Sequence, residues 1–416
     1  VETPRTIDLL DAVGGLAAGG PDADACALLP PPPLPAELQP SAGGAGAGGA
    51  PLLADLTTLH VGGPADRYVE ATSEEELVTA VRDADAAGEP VLVLGGGSNL
   101  LVADAGFPGL VVRDVRTGVQ VPDASACAGV TLTVPAGTPW EDLVDHVVDN
   151  ELVGLEALAG IPGSTGAAPV QNIGAYGQEV AQTIAQVRVW DRGRGAVRTL
   201  PLVTLAFGYR TSLLKRSMQP GFAEPVRRGD ATPDPRAPWR PTPRYVVLDV
   251  TFQLRPGSLG APVTYAELAR ALDVPVGGRA PLGDVRAAVL ALRRGKGMVL
   301  DPADADTSSA GSFFTNPVLD EAAAAALPAE APRWPVPGEP GRVKTSAAWL
   351  IEHAGFHRGW GHGAASLSTK HTLAVTNRGA ATAADVLGVA RAVRDGVARR
   401  FGVRLEPEPV LVGVSL

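Results

Sequence analysis

Cysteine is nearly absent from this chain: Cys26 and Cys127 are the only two in 416 residues. So low a count excludes a disulfide framework and a thiolate metal site, and it fits a reducing, cytoplasmic compartment. The six histidines are scattered, and none falls at ligand spacing from a Cys or carboxylate, so no metal is expected. No apolar run approaches the length of a membrane span, and the N-terminus lacks a basic region followed by an apolar stretch. The expectation is a soluble, intracellular protein with no membrane insertion. No Lys/Arg block interrupts an acidic background of net charge -10 and pI near 5.2, which argues against nucleic acid as a partner. A monomer is expected.

What is present is length, glycine and proline. A chain of 416 residues has room for two or three domains with sizeable cores. Residues 1–50 are low-complexity, with a proline run at 29–35 and an Ala/Gly run at 42–49, and read as a disordered extension without a catalytic role. Order begins near Leu52. Ser73 and Glu76 form a capping-box pattern that opens a helix to about Gly88. Val91–Leu94 is a buried strand. Strands at 109–113 and 130–134 and a helix at about 139–150 follow, then a hairpin pairing 184–190 with 196–200 around Asp191-Arg192-Gly193. Residues 217–243 carry seven prolines in 27 positions and read as an insertion or mobile loop. Tyr245–Leu254 alternates as a strand and closes a first body, 52–256. A second body, 261–416, is expected to hold helices at 265–272, 282–295, 345–355 and 383–401 and a terminal strand from Val403 to Val412. Strands and helices mix without strict βαβ order, so the fold class is α+β.

Five segments carry candidate chemistry. Gly95-Gly96-Gly97-Ser98-Asn99-Leu100 follows a strand, and consecutive glycines let backbone N–H groups approach a pyrophosphate. It lacks the third glycine of the dinucleotide fingerprint, and alone it reads as a tight turn. Residues 160–177 (GIPGSTGAAPVQNIGAYG) are small almost throughout, as close approach to a flat, phosphate-bearing ligand would require. Together the two segments suggest a two-sided cradle for a dinucleotide. Tyr209-Arg210 could clamp a carboxylate in bidentate fashion, although an isolated Arg of this kind is more often a surface residue. Leu405-Glu406-Pro407-Glu408-Pro409 holds two carboxylates on backbone that the prolines force into extended conformation; an acidic edge strand is the alternative. Gly311-Ser312-Phe313-Phe314-Thr315-Asn316-Pro317 sets one hydroxyl between a glycine and two aromatic rings. By itself this peptide reads as a turn beside core residues.

Taken in chain order, the segments resemble the UDP-N-acetylenolpyruvoylglucosamine reductase family, from about Leu56 to Gly413. Thr57–Ala65 (TTLHVGGPA) is similar to the family's entry strand, and Gly311–Pro317 is its most specific signature. The resemblance implies an FAD-binding domain of the vanillyl-alcohol-oxidase type in two lobes, plus a C-terminal α+β substrate-binding domain. It implies FAD as cofactor, NADPH as reductant, and UDP-N-acetylglucosamine enolpyruvate as the substrate reduced to UDP-N-acetylmuramate for peptidoglycan. By match, Ser312 is the general acid, Arg210 neutralises the substrate carboxylate, and Glu408, in preference to Glu406, is the catalytic glutamate with a raised pKa. The implied cofactor contacts are Gly95, Gly96, Gly97, Ser98, Asn99, Leu100, Gly160, Ile161, Pro162, Gly163, Ser164, Gly166, Asn172, Ile173, Gly174, Ala175 and Tyr176. The implied substrate contacts are Tyr209, Tyr265, Lys296, Asn316 and His371. Tyr265 matches a lid tyrosine over the diphosphate and puts the chain in the tyrosine-bearing type; His371 falls where some members carry Gln. Lys296 would also serve as a cation at a helix C-terminus. Two rivals remain: another flavin oxidase of the same fold, acting on a sugar or hydroxy acid, and a non-catalytic nucleotide-binding protein. Neither explains a set of Arg210, Ser312 and Glu408.

Overall fold

In the computed structural model the described residues are 50–416, apart from 126–128, 228–229 and 337. The expected N-terminal extension and both cysteines lie outside the described residues, except for Ala50. The first lobe is a parallel sheet in the order Ala65–Ala71, Phe107–Asp114, Val91–Leu94. The helix Glu74–Ala87 lies on it through Leu77, Val81 and Ala84, a spacing that gives one apolar stripe. Ser73 Oγ caps it by accepting the Glu76 amide at 3.1 Å. The Glu76 carboxylate reaches one residue further back than a capping box requires, accepting from the Thr72 amide and hydroxyl at 2.7 and 2.8 Å.

The second lobe is an antiparallel sheet in the order Ala196–Pro201, Ile184–Asp191, Tyr245–Pro256, Gly129–Pro135, Gln120–Ser125. Its central strand does not alternate between core and water as expected: every residue from Tyr245 to Phe252 is buried. One face (Tyr245, Val247, Val250, Phe252, Leu254) joins the core of this lobe, and Val246 and Leu248 join the core of the first. A register shift between Val247 and Asp249 changes the parity, so 245 and 247 share a face with 250 and 252. This strand of the second sheet is therefore a shared wall between the two cores.

The division expected at residue 261 does not follow the packing. Val263, Leu268, Ala269, Val285, Val289 and Leu290 belong to the core of the second lobe. Of the helices that carry most of them, Ala266–Ala271 and Leu282–Gly295, the second packs on the first, on the helix Trp140–Asp149 and on the turn Glu156–Leu158 of that lobe. The remaining lobe is built on the helix Ala383–Phe401, capped by Thr382 and Asp385 and stopped by Gly402 at φ 68°. Its core includes Phe313, Phe314, Leu350, Val386 and Val393, together with Leu59, Val61 and Leu101 from the N-terminal part.

Thr57–Ala65 is a loop rather than a strand up to Pro64, with only Ala65 in the sheet. It ties lobes together: Thr58 Oγ1 donates to the Ser309 carbonyl at 2.7 Å, and Asn377 Nδ2 donates to the carbonyls of Leu59 and His60 at 3.2 and 3.1 Å. The proline-rich stretch 217–243 is packed where a loose loop was expected. It contains a hairpin, Ala223–Arg227 against Asp230–Pro233, and its Trp239 is 6% exposed. Arg244, just after it, pairs with Asp191, Glu224 and Asp234 at 2.7, 2.8 and 3.2 Å. Its anchors are one indole and a buried ion network, which leave no periodic signature in a sequence. Among the described residues no helix is long and apolar enough to cross a membrane.

Candidate active site

The two glycine segments meet where the lobes join. A cleft of about 980 Å³, partly open to solvent, is lined by residues 92–100, Ser164, Gly166 and Ala167, by Tyr245–Val247 of the shared strand, and by Met218, Pro241, Thr242 and Pro243. The proline-rich stretch thus supplies one wall of the cleft. Thr242 Oγ1 also accepts the Val93 amide at 2.7 Å, which fixes that wall to the strand before the first glycine loop.

The glycines are demanded in part by the protein itself. A Cβ on Gly96 would lie 2.6 Å from Gly163 Cα, and one on Gly95 would lie 2.6 Å from Ser164 Oγ. Ser98 Oγ closes the contact by donating to the Pro162 carbonyl at 2.8 Å. The loops are therefore two sides of one seam, and both reach the cleft edge. The rest of the second segment divides. Gly160 packs against Leu290 and Val299. Buried Asn172 is a brace, with Nδ2 donating to Glu179 and to the Gly208 carbonyl, both at 3.0 Å. Of the expected cofactor contacts, Gly95, Gly96, Gly97, Ser98, Asn99, Leu100, Ser164 and Gly166 line the cleft, whereas Gly160, Ile161, Pro162, Gly163 and Asn172–Tyr176 do not. Gly174 and Tyr176 instead face the charged groups described next.

The Ser312 peptide and the Glu408 segment are zipped together. The Glu408 amide donates to the Phe313 carbonyl at 2.9 Å, and the Thr315 amide donates to the Glu406 carbonyl at 3.1 Å. Phe313 and Phe314 anchor this pair, each 1% exposed and edge to face at 5.2 Å. Beyond Pro409 the chain becomes the strand Val410–Val412, parallel to Leu100–Val102, and the Val410 amide donates to the Asn99 carbonyl at 2.9 Å. One short stretch of chain thus joins the Ser312 peptide to the first glycine loop. The two glutamates of this stretch are placed differently. Glu406 is exposed, whereas Glu408 is half-buried and pairs with Arg210 Nε at 3.1 Å.

Burial pushes the Glu408 carboxyl above its usual range, with Arg210 and Lys215 opposing the shift. A raised pKa was expected from a facing substrate carboxylate; desolvation by the protein already produces the direction. Arg210 sits at φ 52° and also donates through Nη2 to the Gly174 carbonyl at 2.8 Å. Beside it, the Tyr209 ring has the Lys344 ammonium 4.7 Å and the Arg210 guanidinium 5.6 Å from its centroid. Asn316 Oδ1 accepts the Ala347 amide at 2.9 Å, at the first residue of the helix Ala347–His353, whose N-cap is Ser346.

A second cluster gathers Tyr176, Tyr265, Lys296 and His371. The two tyrosine rings stand edge to face at 5.6 Å. Lys296, at the C-cap of the helix Leu282–Gly295, lies 5.3 Å from the Tyr176 centroid and pairs with Glu267 at 2.6 Å. Burial, aided by Lys296 and Arg358, lowers the His371 imidazole to about 4. Tyr265 is 48% exposed. Sequence reasoning missed Gln171, Lys215 and Thr242. Gln171 and Lys215 stand within or close to the recognised segments, but nothing in their spacing distinguishes them from ordinary polar residues.

Two family models match the chain: an FAD binding domain over residues 65–201, and the UDP-N-acetylenolpyruvoylglucosamine reductase C-terminal domain over residues 301–412. The first covers both glycine segments, and the second runs from before Ser312 to the strand beyond Glu408. A UDP-N-acetylenolpyruvoylglucosamine reductase from Thermobifida fusca is 50% identical over 372 residues, spanning 88% of this chain and 97% of that protein. The chain belongs to the UDP-N-acetylenolpyruvoylglucosamine reductase family. A relative of the same name from Salinispora arenicola is 51% identical over 88% of this chain and 95% of its own length. The crystal structure of the family member from Thermus caldophilus superposes with a TM-score of 0.55 at 28% identity, covering 87% of this chain and 97% of that one. Family members are FAD-dependent oxidoreductases that draw on NADPH, and the cleft suits FAD. Its glycine rim leaves no room for side chains, and the shared strand supplies apolar wall through Val246 and Val247.

Proposed function

We propose that this protein reduces the enolpyruvyl ether of UDP-N-acetylglucosamine enolpyruvate to the lactyl ether of UDP-N-acetylmuramate, with Ser312 as the proton donor. The observation that carries the reading is the pairing of the Ser312 peptide with the Glu408 segment, beside Arg210 and continuous with the rim of the cofactor cleft.

Held in the cleft by the Gly95–Leu100 loop, Ser164, Gly166 and the strand residues Tyr245–Val247, FAD reduced by NADPH would supply the hydride for C3 of the enolpyruvyl group. Negative charge then develops at C2 and spreads into the adjoining carboxylate, so the site needs a cation and a proton. Arg210 is held at Nε by Glu408 and at Nη2 by the Gly174 carbonyl, and its remaining N–H groups serve the substrate carboxylate. Ser312 delivers its hydroxyl proton to C2 and regains one from water. A serine is a weak acid, but an enolate is a strong enough base to take its proton. Glu408, its pKa raised by burial, bears a proton or holds a water next to the substrate carboxylate without repelling it. Tyr176, Tyr265, Lys296 and His371 form the surface for the diphosphate: one ammonium, two phenols, and an imidazole kept neutral at physiological pH.

The experiment is an anaerobic titration. The yellow protein is expected to bleach with NADPH and to recolour when UDP-N-acetylglucosamine enolpyruvate is added. Bleaching without recolouring would rule out this substrate.

A further inference from the structure

Lys215 has no part in the chemistry so far, yet it lies between the cofactor cleft and the catalytic groups. It is half-buried on the one-turn helix Leu213–Arg216. Its ammonium donates to Gln171 Oε1 at 2.5 Å and to the Arg210 carbonyl at 3.3 Å, both neutral oxygens. Glu408, close enough to favour the charged lysine, pairs with Arg210 instead. Burial lowers the lysine pKa, so holding the charge here has a cost that no ion pair offsets among the described residues.

Gln171 connects this charge to the cleft. It is itself a lining residue. Because its Oε1 accepts from Lys215, the side chain can present only N–H groups on its other side. One of them reaches towards the Glu408 carbonyl at 3.4 Å, which also lies 3.5 Å from Asn99 Nδ2 at the rim. An ammonium without an ion-pair partner among the described residues, fixing an amide as a donor, is an arrangement that favours negative charge in the cleft. The established cycle produces such charge when the cofactor takes up electrons.

We propose that Lys215 is a positioning and electrostatic residue for the reduced cofactor: through Gln171 it favours the two-electron-reduced, anionic state of FAD and so sets how readily NADPH can charge it. Lys215 acts in this way only if the cleft holds FAD as proposed, and flavin content reports on that separately.

The test is the midpoint potential of bound FAD, measured by dye equilibration in Lys215→Met, Lys215→Arg and Gln171→Leu, with the dissociation constant of the flavin–sulfite adduct as a second readout. Lys215→Met is expected to keep its flavin and to lose tenfold to a hundredfold in the reduction equilibrium constant, a shift of about 30–60 mV to more negative potential for two electrons. Sulfite affinity should fall in parallel. Lys215→Arg should restore both, and Gln171→Leu should shift both in the same direction by less. A normal potential in flavin-bearing Lys215→Met would overturn the proposal, even if turnover were impaired, and would leave Lys215 as a support for Arg210 and Glu408. Should Lys215→Met not fold, an unchanged potential in Gln171→Leu would overturn it equally.

Discussion

The cofactor cleft and the catalytic wall are neighbours built by opposite means. The cleft rim is backbone: Gly95 and Gly96 are packed so closely against Ser164 and Gly163 that a single methyl would collide. The wall is side chain: Arg210, Lys215, Glu408, Lys296 and His371, with the pKa values of Lys215, Glu408, Lys296 and His371 displaced. A bound cofactor has to be gripped in both oxidation states, which shape and neutral dipoles do evenly. A reacting substrate needs charges that act on one bond, and these require side chains partly withdrawn from water. The two regions should therefore fail separately when mutated.

The largest separation is expected from Ser312→Ala. Bleaching by NADPH should survive, while reoxidation by the enolpyruvyl substrate in stopped flow should fall roughly 10²–10⁴-fold; loss of bleaching would make Ser312 a structural residue. Phe314→Ala, directly behind it, should instead cost stability, about 3–5 kcal/mol in urea unfolding, because the ring is 1% exposed in the core.

Gly96→Ala attacks the other region. Its methyl would meet Gly163 Cα at 2.6 Å, so the loop seam must open, and the protein should purify with reduced flavin content but an unchanged far-UV circular dichroism spectrum. Full flavin occupancy with normal turnover would show that the seam is not what shapes the cleft.

The smallest effect concerns pH. His371 has a folded pKa of about 4 against an ordinary 6.5, so the unfolded chain takes up its proton first. Its contribution is intact above 6.5 and is lost as pH falls through about 4, a change of up to about 3 kcal/mol. His371→Gln should flatten the decline in unfolding free energy between those two values. An unaltered pH profile would mean that His371 is better solvated than the structure places it.

Several elements were legible because their signals are local. The helix at 383–401 and the hairpin at 184–200 coincide with the observed ones to within about a residue, since apolar spacing, a cap and a turn are written in neighbouring residues. The stretch 217–243 was not legible. It is held by Arg244 across the chain to Asp191 and by an indole with no periodic companions. Which core the helices beyond 261 join was hidden for a related reason: an apolar stripe says that a helix must pack, not against which lobe.

For the site, the residue types and the family were in the sequence, because glycine runs and the Ser312 and Glu408 peptides are contiguous motifs. Which glutamate pairs with Arg210, which glycines face the cleft and which face each other, and that Lys215 stands behind Gln171 were decided only by the tertiary structure. Those facts depend on contacts across as many as 309 residues of chain, as between Asn99 and Glu408, and on burial, which displaces pKa values only after the lobes have closed around the groups concerned.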